Sequence, residues 1–120
     1  MLNTHQNLTP IKNSKLGSAV RDGRCGTDPR IVPEYIRAET LESAKLDRED
    51  QWQTQAEIVG LLFETISDTL LASCWRRWCL QCCCMPLHTL RCLSLTSGES
   101  RQVKKLEQEM VVLREYYLNH

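Results

Sequence analysis

Between Cys74 and Cys84 the chain reads CWRRWCLQCCC, a stretch with five thiols, two tryptophans and two arginines. His88 and Cys92 follow shortly after. Thiols and imidazole at this density admit three kinds of chemistry: metal ligation, attachment of an acyl chain through sulfur, and thiol–disulfide exchange. A fourth use asks for no chemistry, because buried Cys acts as a small hydrophobe. On that reading the segment is a stretch without evolved chemistry set between two orderly helical segments.

For metal, the ligand set is Cys79, Cys82, His88 and Cys92, spaced C-x2-C-x5-H-x3-C. Two pairs of soft or borderline donors suit tetrahedral zinc. The run from Cys79 to Cys92 resembles a zinc knuckle, with its His displaced by one residue and Pro86 inside it. For acylation, the acceptors are Cys79, Cys82, Cys83 and Cys84. Trp75 and Trp78 suit an interfacial depth, and Arg76 and Arg77 suit anionic head groups, so a membrane surface is the partner of this reading. One acyl chain binds weakly, so several of these thiols would have to carry one. For exchange, Cys79 and Cys82 form a C-x-x-C pair, but no strand or βαβ setting precedes them.

Elsewhere the chain offers little catalytic material. His5, His88 and His120 are far apart, and no nucleophile elbow or phosphate-cradling glycine loop is present. The two glycines of DGRCG lack a strand–helix setting. Glu57, Glu64 and Asp68 share one helical face and read as a solvated exterior. The expectation is a protein that is not an enzyme and needs no cofactor. Formal net charge is zero, and Arg76, Arg77 and Arg91 make too small a basic patch for nucleic acid. Asn7 opens a glycosylation sequon and Thr9-Pro10 resembles a proline-directed kinase site; both matches are short.

The elements that must position these groups are helical. Trp52, Ala56, Val59, Phe63, Ile66 and Leu70 are spaced 4, 3, 4, 3, 4, a heptad seam. Leu62 widens the stripe, while Leu61 falls among the acids and is unexplained by a single buried face. Val103, Leu106, Met110, Leu113 and Tyr117 repeat at 3, 4, 3, 4. Thr96-Ser97-Gly98-Glu99 has the form of a capping box before that second seam. Pro86 argues against helix at Met85. The expected layout is a disordered arm over 1–33, a long amphipathic helix over 34–73, a Cys-rich linker over 74–98 and an amphipathic C-terminal helix over 99–120. The fold class is all-α: a helical hairpin or open helix pair, with coiled-coil-type seams.

Such a hairpin has too little core to stand alone with comfort. The seams therefore predict protein–protein interaction or self-association, through Trp52, Val59, Phe63, Ile66 and Leu70 together with Leu106, Met110, Leu113 and Tyr117. The polar start of the chain has no apolar signal core, no stretch is long and apolar enough to span a bilayer, and the seven cysteines are odd in number. These features predict an intracellular, cytoplasmic chain with reduced thiols.

Overall fold

The structure, a computed structural model, describes residues 15–23 and 27–118. The sequon at Asn7, the Thr9-Pro10 match, His5, His120 and the remainder of the proposed arm (1–14 and 24–26) lie outside the described residues. Among the described residues all regular structure is helical. The elements are α1 (15–22), α2 (Ile31–Ser43), α3 (Arg48–Ser67), α4 (Ser73–Cys82), α5 (Cys84–Leu93) and α6 (Ser97–Leu113), which runs into a π-helical turn at Arg114–Leu118.

α3 is the axis of the fold. It touches α2, α4, α5 and α6, and its buried residues include Ile58, Val59, Leu62, Phe63 and Ile66. Its start is dictated locally. Asp47 has extended backbone and its carboxylate accepts from the Asp50 N–H at 2.9 Å, while Glu49 and Asp50 place negative charge in the first turn. This cap divides the expected single helix over 34–73 into α2 and α3. Upstream of Trp52 the same heptad register passes through Lys45, in the turn, and Arg48, the first residue of α3, so it carries no apolar stripe there.

The α3 seam ends one step early. Asp68 leaves the helix with φ −82 and ψ 99, and its carboxylate accepts from the Leu70 N–H at 3.0 Å. That turn throws Leu70 outward, and Leu71 packs on the core in its place.

The expected linker is two helices. α4 starts its own register after the break at Asp68, and Trp75, Arg76, Cys79, Leu80 and Cys82 are buried from it. Pro86 is the third residue of α5 and is fully buried. A first-turn proline has no intrahelical bond to lose, so it starts α5 instead of preventing it, and Met85 is helical.

Part of the expected arm belongs to the core. Val20 on α1 is fully buried, and the indole N–H of Trp75 donates to its carbonyl at 2.9 Å. Arg21 donates to Asp68 at 2.7 Å, and the Trp78 indole N–H donates to the Pro29 carbonyl at 2.7 Å. At Gly17 an added Cβ would stand 3.3 Å from both Leu61 and Tyr35, so α1 lies close against α2 and α3. This is the partner that Leu61 lacked in a one-faced reading of α3.

The second seam is where the sequence places it. Thr96 accepts from the Glu99 N–H at 3.0 Å, and Glu99 accepts from the Thr96 N–H at 3.3 Å, a reciprocal capping box. Glu99 also binds Arg48 through both carboxylate oxygens, at 3.0 and 3.1 Å. Arg48 in turn donates to the Leu93 carbonyl at 2.9 Å, and Trp52 donates to Ser94 at 2.9 Å. The starts of α3 and α6 are thereby tied to the end of α5. Both heptad stripes enter one core shared with α1, α2, α4 and α5, rather than a two-stranded coil.

Candidate functional site

The cysteines divide into two sets. Cys79, Cys82 and Cys83 are buried, whereas Cys74, Cys84 and Cys92 are exposed. Burial disfavours the thiolate, pushing the Cys79 thiol up to about 12 and Cys82 up to about 11, with Cys83 raised as well. Three of the four proposed acylation acceptors are thus core side chains, and only Cys84 presents its sulfur to solvent. Among the described residues no helix is long and apolar enough to cross a membrane. The proposed four-ligand zinc set does not assemble: among the described residues no three His, Cys, Asp or Glu side chains converge as metal ligands. The reason is register. Cys79 and Cys82 face the core from α4, while His88 and Cys92 face out from α5, with Sγ and Nε2 3.6 Å apart.

The proposed contact residues also separate. Val59 and Ile66 are fully buried, and Phe63 and Leu113 nearly so. They close on the chain's own interior. Trp52, Leu106, Met110 and Tyr117 are partly buried against that core. Leu70 is 93% exposed.

Phe63, Leu70 and Leu106 meet again at an open groove of about 730 Å³ between the second half of α3 and α6. Gly60 completes the apolar floor, and an added Cβ there would meet nothing within 4 Å. The walls carry Glu64, Asp68 and Glu109, with Arg21 as the cation among them. Arg21 lies 3.7 Å from Glu64 and 2.7 Å from Asp68. Its hydrogen bond, with help from the Leu70 N–H, holds the Asp68 carboxyl below the usual carboxylate range. Three carboxylates against one guanidinium leave the rim acidic.

Arg76 secures the α3 end of this groove from beneath. It is almost wholly buried, and its Nε donates to the Ile66 carbonyl at 2.7 Å. A cation at the last carbonyls of a helix satisfies an acceptor and opposes the negative end of the macrodipole. The guanidinium also lies 5.4 Å from the Tyr117 ring centroid, linking α4 to the turn after α6. One terminal nitrogen, Nη2, has no hydrogen-bond partner.

The groove joins residues far apart in the chain, so one-dimensional periodicity could not reveal it. Two local signals point toward it: Gly60 within an otherwise glycine-free α3, and Leu70 stranded beyond Asp68. The chain matches no family model, no curated protein and no solved structure.

Proposed function

We propose that this chain is a docking module for a protein partner, and that the groove between α3 and α6 receives a basic amphipathic helix. The observation that carries this reading is the combination of an apolar floor with an acidic rim. Phe63, Leu70, Leu106 and the bare backbone of Gly60 offer a strip about two helical turns long. Glu64, Asp68 and Glu109 flank it. A helix that lays an apolar ridge on the floor and Lys or Arg along its edges satisfies both. Charge complementarity of this kind sets orientation and encounter rate, and the apolar anchors supply most of the affinity.

Of the residues first assigned to the partner, Phe63, Leu70 and Leu106 keep that role. Val59, Ile66 and Leu113 act from below as the rigid bed. Trp52, Met110 and Tyr117 pack on the core outside the groove lining.

The test uses a fluorescent synthetic helix with a leucine ridge flanked by lysines, and an otherwise identical peptide flanked by glutamates. Anisotropy titrations should show binding of the lysine peptide that weakens with salt, and at least tenfold weaker binding of the glutamate peptide. Gly60→Trp fills the floor from a position with open space around it, and Leu70→Asp charges an already exposed side chain. Each should weaken the lysine peptide about tenfold, equivalent to ~1.4 kcal/mol. Equal binding of the two peptides, or unchanged binding by Gly60→Trp, would overturn the reading.

A further inference from the structure

On the outer face of α5, away from the groove, His88 and Cys92 stand one helical turn apart and both are exposed. Their potential donor atoms, Nε2 and Sγ, are 3.6 Å apart. That separation has a chemical meaning. With Zn–S of about 2.3 Å and Zn–N of about 2.0–2.1 Å at a tetrahedral angle, the sulfur-to-nitrogen edge is about 3.5–3.6 Å. The pair is therefore already spaced as one edge of a zinc tetrahedron, and binding asks for little rearrangement of the helix.

The chain cannot supply the opposite edge from the described residues, where no third ligand converges. Cys84 lies on the same exposed stripe. It is two turns before Cys92, about 12 Å along the axis, too far to share its ion. Cys79, Cys82 and Cys83 are turned into the core. Arg91, the cation next to Cys92, is ion-paired with Glu107 on α6 and so carries its charge toward that carboxylate.

We propose that His88 and Cys92 are half of a Zn²⁺ site that a second copy of this chain completes with its own His88 and Cys92. An isologous contact brings the same surface of both copies to a two-fold axis, so one ion on that axis receives two imidazoles and two thiolates. The coordination is a closed Cys2His2 set, and the two thiolates balance the charge of the ion. Each Cys92 thiol releases its proton to solvent on ligation.

The experiment uses the full reduced chain with Co²⁺ as a spectroscopic stand-in and Zn²⁺ as competitor. The expected result has three parts. The visible bands of tetrahedral cobalt appear with a thiolate charge-transfer band, and they saturate at one ion per two chains. Light scattering shows a monomer converting to a dimer with Zn²⁺ and returning with chelator. His88→Ala and Cys92→Ser each weaken binding at least tenfold and abolish the dimer; because both side chains are exposed, helicity should be unaffected. A triple Cys25→Ser, Cys74→Ser, Cys84→Ser variant should bind and dimerise as the parent does. One ion per monomer, bands that survive in Cys92→Ser, or loss of binding in the triple variant would each overturn the proposal.

Discussion

Alanine at two glycines should change stability in opposite directions. At Gly23 the backbone is left-handed, with φ 51, a conformation that costs a side-chain-bearing residue about 1–2 kcal/mol. An added Cβ would also stand 2.4 Å from Trp75 Cδ1 and 2.5 Å from its Nε1. That ring cannot easily move, because it is buried and donates to the Val20 carbonyl at 2.9 Å. Displacing it forfeits a hydrogen bond, about 1 kcal/mol net, together with packing. Gly23→Ala should therefore cost roughly 2–4 kcal/mol, a large share of the ~5–15 kcal/mol that holds a domain together. The melting temperature should fall by on the order of 10–20 °C. At Gly60 the helix is regular and the added methyl meets nothing, so alanine relieves the glycine penalty of about 0.5–1 kcal/mol. Gly60→Ala should melt a few degrees higher. Calorimetry of the two variants beside the parent decides the matter. A Gly23→Ala protein that melts with the parent would refute the packing of α1 and its following turn on Trp75.

The remaining predictions concern charge and thiols. Hydrogen bonds from the Leu95 N–H and then from Arg48 hold the Glu99 carboxyl at about 2, against an ordinary 4.5. A lowered folded value means that its contribution is complete above pH ~4.5 and is lost as pH falls toward ~2. The melting-temperature gap between parent and Glu99→Gln should therefore be constant near neutrality and shrink across that acid range; a gap that widens on acidification contradicts the pairing. Alkylation of the native chain near pH 8, read by peptide mass mapping, should modify Cys74, Cys84 and Cys92 while sparing Cys79, Cys82 and Cys83 until denaturant is added. Rapid native labelling of Cys79 or Cys83 would place the α4–α5 junction outside the core. Deleting residues 1–22 removes Val20 and Arg21, so helicity should melt at lower temperature by more than the loss of one short helix explains; an unchanged melt contradicts the role of α1.

The parts of this fold that sequence could reveal are those governed by neighbours in the chain. Thr96 and Glu99 are three residues apart, and their capping box depends only on that spacing. The α6 stripe from Val103 to Tyr117 faces the core as its period requires. Asp47 followed by Glu49 and Asp50 was an equally local helix start, but the absence of Pro and Gly around it suggested continuity. Cys79, Cys82 and Cys83 were harder. A cysteine reads as ligand, acyl acceptor or small hydrophobe according to which way it faces. That direction depended on where α3 stops and α4 restarts. Pro86 on its own argues for a stop, because its position within a helix, first turn or interior, is not visible from residue type. Leu61 is explained only once Gly17 of α1 is laid against it. The groove is further removed still, since Gly60 and Leu106 come together through tertiary packing alone.

The most direct test of the docking reading is amide chemical-shift mapping of the isotopically labelled chain titrated with the lysine-flanked leucine helix. Saturable shifts should centre on Gly60, Glu64, Leu70, Leu106 and Glu109, with His88 and Cys92, which do not line the groove, unmoved, and these shifts should be lost in Gly60→Trp. Shifts centred elsewhere, or none at saturating peptide, would contradict it.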